Sequence, residues 1–402
     1  MVAAEGHLID SQLLTAIFDT VINRGGTFEV QAFDIGRTND EFSRLTLKVT
    51  AADAAGLSSL VEALIPLGCH VAAEHDALIL PADRDGCAPE DFYSTTNQRT
   101  QVRIGGRWVA VERQRMDAAI VVEGNRAGCR KLRDLRTGDR VVCGLDGVRV
   151  TPEFRDRARA DFAFMSNDVS SERRVEGSVA RIAAMMREAK RAGGRIAFVA
   201  GPVLVHTGGA AYFSRLVRAG FVDVLLAGNA LAVHDVEFAL FGTSLGVDLE
   251  AGAPVSGGHR HHMRAINAIT RAGGLEPAVR SGLLTSGVIY ECVRAGVSYV
   301  LAGSVRDDGP IADTITDIVR AQDRYAAELA DAAIVIVLAT MLHGIGVGNM
   351  LPAWTPVICV DINPAVVTKL ADRGSSQTIG LVTDVGLFLH HLAAQLAPDR
   401  SR

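Results

Sequence analysis

The chain has 402 residues, with 41 basic and 46 acidic side chains and a formal net charge of −5. This balance excludes the dense basic face that binding to nucleic acid or to an anionic membrane requires. The 48% hydrophobic and 22% charged content excludes a disordered chain. At ~150 residues per domain, the length indicates two or three domains.

The cysteine pattern and the chain start indicate a cytoplasmic protein. The six cysteines form no C-x-x-C pair and are irregularly spaced, as expected for free thiols in a reducing compartment. Residues 1–10 lack a basic head and an apolar core, so we expect no signal peptide. The longest apolar stretches, such as 332–339, fall short of the ~18 to 20 residues of a membrane helix, and we expect no membrane partner.

Residues 1–100 predict a small α+β domain of αββαβ order. Its apolar residues recur at helical spacing in two segments and alternate with polar residues, as in strands, in three others. The predicted elements are a helix over 13–26 capped by Asp10 and Ser11, strands over 27–36 and 44–51, a helix opened by Asp53 and closed by Pro66 and Gly68, and a strand over 70–80.

Residues 101–165 predict a small β-rich domain, either a barrel or a sandwich. The segment 101–111 has the pattern of a hairpin around Gly105-Gly106. Short β-branched runs separated by glycine-containing turns follow it to about residue 153.

Residues 166–402 predict a doubly wound α/β domain. A long amphipathic helix over 170–194 begins at a serine and ends in a glycine pair. Six short strands, apolar on both faces and each followed by a helical segment, indicate a parallel sheet covered on both sides. They are 195–201, 222–228, 298–303, 333–340, 357–361 and 377–382.

The strand over 333–340 is followed by the best candidate for a nucleotide site, since ligands of such sheets bind outside the carboxyl ends of the strands. Gly344, Gly346 and Gly348 would let the backbone approach a phosphate, with a following helix N-terminus supplying N–H donors. Asp361, at the tip of the next strand, would accept ribose hydroxyls and repel a 2′-phosphate, which favours NAD over NADP. The alternative is an ordinary glycine-rich turn.

Three other strand ends carry candidate polar groups. The amide of Asn229 and the N–H of Ala230 would face a ligand, or Asn229 would only cap a helix. The adjacent acids Asp307 and Asp308 would bind ribose hydroxyls or a substrate ammonium, or be solvated loop acids. Asp384 ends the last strand.

The segment 257–263 contains His259, His261 and His262 around Arg260. No carboxylate or thiol at metal-ligand spacing accompanies these imidazoles, so we expect a polar turn and no metal. The guanidinium of Arg260 suits a carboxylate clamp. Cys292 lies in a helical pattern and is expected to be a buried thiol rather than a nucleophile.

Long motifs resemble two known modules, which together cover nearly the whole chain. GHLIDS, FDIGRTNDE, PADRDG and PEDFYSTTNQRTQVR, within 6–103, resemble the domain of bifunctional lysine-oxoglutarate reductase/saccharopine dehydrogenases. GPVLVHTGGA, VDVLLAGNALAVHDVE, GVDLEAGAPVSGGHRHHMRAIN, TMLHGIGVGNMLP and VDINPAVVTKLADRGSSQ, within 201–377, resemble archaeal-type ornithine cyclodeaminases. The same module forms the C-terminal part of cyanobacterial arginine dihydrolase fusions.

The resemblance implies a Rossmann-like, deoxyhypusine synthase-related NAD-binding domain over 166–402 that converts ornithine to proline and ammonia. The implied cofactor contacts are Asn229, Ala230, Asp308, Thr340, Met341, Leu342, His343, Asp361, Asp384 and Val385. They coincide with the strand ends that the topology selects, and NAD enzymes of this size commonly form homo-oligomers.

The expected reaction is an internal oxidation at the α-carbon of ornithine, closure of a five-membered ring by the δ-amine with loss of ammonia, and re-reduction. Arg260 would hold the α-carboxylate, and Asp308, with His234 or His343, would carry protons. Two alternatives stay open: another NAD-dependent amino-acid oxidoreductase of saccharopine type, and a non-catalytic sensor of NAD and an amino acid.

Overall fold

A computed structural model describes residues 1–9, 12–38, 41–72, 75–152, 171–244, 247–248, 261–307, 309–373 and 378–398. The chain divides into two compact units. The N-terminal unit contains Met1–Asp156 and Leu351–Trp354, and the C-terminal unit contains Arg157–Met350 and Thr355–Arg402.

The first elements of the N-terminal unit form a split βαβ domain. They are β1 (Val2–Gly6), α1 (Leu13–Asn23), β2 (Thr27–Asp34), β3 (Ser43–Thr50), α2 (Ala54–Leu64), a 3-10 turn (Ile65–Leu67) and β4 (Cys69–Val71). The antiparallel sheet has the order β2-β3-β1-β4. Asp53 caps α2 by accepting a hydrogen bond from the Gly56 N–H at 2.7 Å, as its position before an apolar run predicts.

Two sequence predictions for this region are wrong. The prediction missed β1, which is the central strand that pairs with both β3 and β4. The single strand predicted over 70–80 is two strands in different sheets, since Leu78–Pro81 forms β5 and pairs with Arg140–Cys143. Alternation of apolar residues continues across such a break, so the pattern cannot show where the chain changes sheet. The predicted caps Asp10 and Ser11 lie outside the described residues.

A seven-stranded sheet completes the N-terminal unit, with the order β11-β6-β7-β9-β8-β10-β5. Its other elements are β6 (Arg99–Ile104), β7 (Arg107–Glu112), β8 (Ala119–Glu123), β9 (Arg126–Arg130), a 3-10 turn (Leu132–Asp134), β10 (Arg140–Cys143) and β11 (Val148–Thr151). The predicted hairpin is confirmed as β6–β7. Gly105 and Gly106 have φ of 58° and 76°, the two positive values that a type I′ turn requires.

The C-terminal unit is built on six parallel strands, β12 (Arg195–Ala200), β13 (Val224–Gly228), β16 (Ser298–Ala302), β17 (Ala332–Leu338), β18 (Val357–Asp361) and β19 (Thr378–Val382). All six predicted strands are confirmed. Their order is β16-β13-β12-β17-β18-β19, which in chain order within this sheet is 3-2-1-4-5-6. A short hairpin, β14 (Thr243–Ser244) and β15 (Val247–Asp248), lies outside the sheet.

Helices follow the strands and cover the sheet. They are α3 (Ser171–Arg191), α4 (Val203–His206), α5 (Gly209–Arg218), α6 (Asn229–Phe241), α7 (His261–Ala272), α8 (Leu275–Arg280), α9 (Val288–Ala295), α10 (Ile318–Leu329), α11 (Met341–Met350), α12 (Pro364–Arg373) and α13 (Val385–Leu396). Strand interiors such as Ile196–Ala200 are completely buried, which explains why apolar and polar residues do not alternate along them. Phe198 and Phe213 meet edge to face in this core, with their ring centroids 5.2 Å apart.

Two further properties bear on the sequence predictions. No helix in the described part of the chain is long and apolar enough to cross a bilayer. The six cysteines are free thiols, and Cys292 is buried in α9, where burial raises its pKa. Its burial confirms the structural interpretation of this thiol.

Candidate functional site

The topology of the six-stranded sheet creates a crevice beside its first strand. The order 3-2-1-4-5-6 places β12 next to β17, and the connections from these two strands leave in opposite directions. Gly201 follows β12 so close to the end of β17 that a Cβ atom there would clash with the carbonyl oxygen of Ala339. A side chain at position 201 would therefore force the two strand ends apart.

The glycine-rich segment after β17 is a helix, so the predicted phosphate loop over Gly344, Gly346 and Gly348 is wrong. These glycines lie inside α11, and Gly344 is buried against the sheet. A Cβ atom on Gly344 would lie 2.9 Å from Val337 Cγ1 and 3.0 Å from Leu370 Cδ2. Glycine here permits close helix packing, which a sequence pattern does not distinguish from a loop.

The helix N-terminus nevertheless lies directly at the strand end. Ala339 has a φ of 45°, a left-handed conformation that turns the chain abruptly from β17 into α11. The Thr340 hydroxyl lies 3.1 Å from His343 Nδ1. The first N–H groups of α11, from Met341 onward, lack intrahelical acceptors and point outward from the sheet edge. This terminus could therefore receive an anion without a glycine loop.

A second helix, α6, begins at the end of β13. Its cap residue is Gly228, which provides no side-chain hydrogen bond. The predicted helix-capping alternative for Asn229 is wrong, because its Oδ1 accepts hydrogen bonds from the Ile311 N–H at 3.0 Å and from the Thr314 hydroxyl at 3.2 Å. Asn229 thereby fixes the loop that follows β16. Ala230, the next residue, is exposed and lines one of the two cavities described below.

Two adjoining cavities open at this edge. The first, of about 570 Å³, is mainly apolar, and we call it the apolar cavity. It is lined by residues 302–305 at the end of β16, by one face of α10 that includes Tyr325, and by α11 with the preceding Thr340. Tyr325 donates a hydrogen bond to the Ala227 carbonyl at 2.7 Å, which fixes α10 against the sheet.

The second cavity, of about 430 Å³, carries most of the titratable groups, and we call it the histidine cavity. Four imidazoles line it together with one acid and one guanidinium. They are His206, His234, His262, His343, Asp307 and Arg306. Burial lowers the pKa of His343, which also lines the apolar cavity. An imidazole and a carboxylate therefore lie beside an apolar slot of nucleotide-site size.

The last two strands carry the remaining predicted acids. Asp361 ends β18 and is 9% exposed. Its Oδ1 accepts the Asn363 N–H at 2.8 Å, while its other oxygen forms no hydrogen bond within the described residues. Asp384 caps α13 by accepting the Leu387 N–H at 2.9 Å, and Val385 is buried. Asp361 thus retains an acceptor for a ligand, whereas Asp384 already has a structural partner.

Arg260 and Asp308, two of the three predicted catalytic residues, lie outside the described residues, as does His259. The other predicted catalytic residue, His234, is buried at the wall of the histidine cavity. Nowhere in the described ranges do three His, Cys, Asp or Glu side chains form a group that could hold a metal ion. His261 instead contacts the Thr243 hydroxyl at 2.8 Å through Nδ1.

Sequence reasoning missed a buried polar network behind the histidine cavity. Ser244 Oγ lies 3.0 Å from His206 Nδ1 and 3.2 Å from His234 Nδ1. Glu237 is fully buried and accepts the Thr243 hydroxyl at 2.9 Å. The position of His206 just after the first strand is a signal that the strand-end rule offers, but Ser244 and Glu237 follow no strand of the sheet.

The 3-2-1-4-5-6 sheet and the two cavities at its carboxyl edge define a Rossmann-type α/β protein. Residues 180–392 match the family model described as "Arginine dihydrolase ArgZ-like, C-terminal, Rossmann fold". Residues 99–179 match the first region of the same C-terminal module, and residues 1–98 match the "LOR/SDH bifunctional enzyme conserved region". The chain belongs to the family of ArgZ-like C-terminal modules.

Curated relatives support this membership along the whole chain. The bifunctional arginine dihydrolase/ornithine cyclodeaminase AgrE of Nostoc sp. is 48% identical over 98% of this chain, which spans only 58% of AgrE. An ornithine cyclodeaminase of Methanothermobacter thermautotrophicus is 47% identical, with 96% of this chain and 95% of the relative covered.

Two solved structures are similar to this chain. Apo ArgZ, a cyanobacterial arginine dihydrolase, aligns with a TM-score of 0.86 at 44% identity over 98% of this chain and 57% of ArgZ. The ternary complex of AgrE with ornithine and NAD⁺ aligns with a TM-score of 0.54 at 47% identity, covering 98% of this chain and 57% of AgrE.

Proposed function

We propose that this protein is an NAD-dependent ornithine cyclodeaminase that converts L-ornithine to L-proline and ammonia. The observation that carries the proposal is the adjoining pair of cavities at the carboxyl edge of the sheet, one apolar and one lined by four imidazoles. The near-full-length similarity to archaeal ornithine cyclodeaminases supports the substrate, and the AgrE complex with ornithine and NAD⁺ supports both ligands.

The residues at the sheet edge fit a dinucleotide. The Asp361 oxygen that has no hydrogen bond among the described residues suits a ribose hydroxyl, and an acid there disfavours NADP. The first N–H groups of α11, and those of α6 after Gly228, which provides no side-chain cap, suit the pyrophosphate. Thr340, Met341, Leu342 and His343 line the apolar cavity, and Asn229 and Ala230 line the histidine cavity. We therefore assign Asn229, Ala230, Thr340–His343 and Asp361 to the cofactor site.

The weaker cofactor assignments concern two positions after β19 and one position after β16. The Asp384 carboxylate is committed to its helix cap, so Asp384 and Val385 would contribute through backbone groups. Asp308 follows Asp307, which lines the histidine cavity, and we retain it as a cofactor or acid–base residue on the resemblance.

Bound NAD would supply a reversible two-electron oxidation at the substrate α-carbon, which makes that carbon open to attack by an amine. The chain's own residues have three tasks: hold the substrate, move protons and exclude water. The histidine cavity supplies Asp307 for an ammonium and Arg306 for a carboxylate, with Arg260 proposed as the stronger clamp. His234 lines the same wall and is the proposed proton carrier.

Holding the chain of ornithine folded favours ring closure. An intramolecular attack can reach an effective molarity of ~10⁵ M or more when the reacting groups are well placed. The buried walls of the histidine cavity, including His234 and Val233, keep water from competing for the activated carbon.

The proposal is tested by incubating the purified protein with ¹⁵N-labelled ornithine and NAD⁺ and following proline and ammonia. Equal amounts of proline and ammonia with no net NADH support cyclodeamination, because the reaction is redox-neutral overall. Accumulating NADH would instead favour a saccharopine-type or simple dehydrogenase. Thermal stabilisation by NAD⁺ and ornithine without product would favour a sensor module.

Self-association and cytoplasmic location stay predictions from the sequence. Light scattering coupled to size exclusion measures the first directly, and a monomeric mass at micromolar concentration would contradict it.

A further inference from the structure

Two imidazoles at the wall of the histidine cavity share one hydroxyl group. His206 Nδ1 and His234 Nδ1 lie 3.0 and 3.2 Å from Ser244 Oγ, and their ring centroids are 4.7 Å apart. Ser244 is 3% exposed, so water does not replace either contact. Within the described residues, Nε2 of neither ring forms a hydrogen bond, and both residues line the cavity.

The hydrogen count makes the two rings unequal. A serine hydroxyl has one hydrogen, so Ser244 can donate to only one Nδ1 and must accept from the other. A neutral ring that accepts at Nδ1 has its proton on Nε2, and a ring that donates from Nδ1 has a free lone pair on Nε2. Ser244 therefore couples one proton-donating and one proton-accepting Nε2 in the same cavity. Burial, reinforced by His234, lowers the pKa of His206 and favours the neutral form of that ring.

Glu237 decides which ring has which form. Its Oε2 lies 3.8 Å from His234 Nδ1, and its Oε1 accepts the Thr243 hydroxyl. The carboxylate is fully buried, so its charge acts across a short, poorly screened distance. A proton on His234 Nδ1 is attracted to this charge, whereas a lone pair there is not.

We propose that Ser244 and Glu237 are positioning residues that hold His234 as the proton acceptor and His206 as the proton donor of the cyclisation. The proposal rests on the proposed function. His234 then has its proton on Nδ1 and a free Nε2, and Ser244 donates to Nδ1 of His206, whose proton is on Nε2.

This arrangement passes one proton across the cavity without a net change of charge. His234 Nε2 takes the proton of a substrate ammonium, so the freed amine can use its lone pair to form the ring C–N bond. His234 Nδ1–H passes to Ser244 Oγ, whose own proton passes to His206 Nδ1, and His206 Nε2–H passes to the departing nitrogen. That nitrogen takes the electron pair of the breaking C–N bond and leaves as ammonia. The rings exchange tautomers, and Glu237 favours their return.

The first test reads the tautomers without substrate or NAD. Protein labelled with ¹⁵N-histidine gives two-bond ¹H–¹⁵N correlations that distinguish Nδ1–H from Nε2–H rings, with assignment by His206→Gln and His234→Gln. We expect opposite tautomers in the wild type near pH 8 and loss of the Nδ1–H form in Ser244→Ala. Glu237→Gln should shift His234 toward Nε2–H. Ser178→Ala, which removes a hydroxyl that is also buried, is the control.

Two like tautomers in the wild type, or an unchanged pattern in Ser244→Ala, would overturn the proposal even if the protein makes proline. The second test is kinetic. Ser244→Ala should lower kcat by about 10- to 100-fold with little change in the ornithine KM, and Ser244→Thr should restore most of it. Equal losses in the alanine and threonine variants would indicate a packing role and contradict the relay. If no variant makes proline, the proposed function fails, while the tautomer measurement still decides the coupling.

The pH dependence of kcat/KM provides a third test of the pair His206 and His234. The charged and titratable groups that face the pair are Glu237, His262, His343, Asp307 and Arg306. Because Glu237→Gln removes a charge that raises the pKa of His206, the acidic limb of kcat/KM should move to lower pH in that variant and not in Ser178→Ala. An unmoved profile would remove Glu237 from the relay.

Discussion

Asp361→Asn should weaken NAD⁺ binding on the order of 10- to 100-fold. One carboxylate oxygen of Asp361 accepts the Asn363 N–H at 2.8 Å, and the other has no partner in the described chain. A hydrogen bond to a charged group contributes about 1.5–3 kcal/mol, and about 1.4 kcal/mol corresponds to a tenfold change in Kd. Asparagine retains an acceptor for Asn363, so the loss should come mainly from the ribose. Isothermal titration or fluorescence of NADH measures it.

The same substitution should narrow the preference for NAD⁺ over NADP⁺, since the negative charge that repels a 2′-phosphate is removed. Asp331→Asn is the matched control, because Asp331 precedes β17 at the opposite edge of the same sheet and is exposed. Unchanged Kd values for both nucleotides in Asp361→Asn, with folding intact by circular dichroism, would refute the ribose assignment.

Three further outcomes concern stability. Gly344→Ala should lower the free energy of unfolding by roughly 1–3 kcal/mol, because the added methyl group meets the sheet. Gly346→Ala, where a methyl group has open space, should raise it by about 0.5–1 kcal/mol. Equal urea midpoints for the two variants would contradict the packing role of Gly344. Tyr325→Phe should lower the free energy of unfolding, measured with urea, by about 1–3 kcal/mol, because the buried Ala227 carbonyl loses the hydrogen bond from Tyr325. An unchanged free energy would show that the carbonyl finds another partner. Burial raises the pKa of Asp235 to about 6, so the native protein retains a proton that the unfolded chain releases near pH 4. Its contribution to stability therefore falls by up to about 3 kcal/mol as pH rises from 4 to 7, and a pH-independent difference between wild type and Asp235→Asn would contradict this.

The sequence predicted the parallel sheet because its strands are buried on both faces. Residues such as Phe198 and Val199 show no polar alternation, and a short apolar run bounded by turns is typical of a strand with helices above and below it. Parallel strands also align their carboxyl ends, so choosing the residues at the end of each strand selected Asn229, Ala230 and Asp361 without any tertiary information.

The errors occur where one local pattern has two tertiary outcomes. The glycines of α11 resemble a phosphate loop, but Gly344 is required for contact with Val337 and Leu370, which belong to a strand and to another helix. Likewise, the alternation over 70–80 is the same whether the strand is continuous or divided between two sheets. Periodicity reports the exposure of a face and does not identify its partner.

The proton network could not be predicted for a related reason. Ser244 reaches His206 across 38 residues and His234 across 10 residues, from a two-residue strand that lies outside the main sheet. The proposed cofactor site uses backbone groups and one acid at strand ends, which the topology alone brings together. The proposed proton relay uses side chains from helices and a short hairpin, whose juxtaposition depends on how α6 packs. Sequence reasoning therefore finds the nucleotide site of such a fold more readily than its acid–base pair, and variants at Ser244 and Glu237 test the part that only the structure reveals.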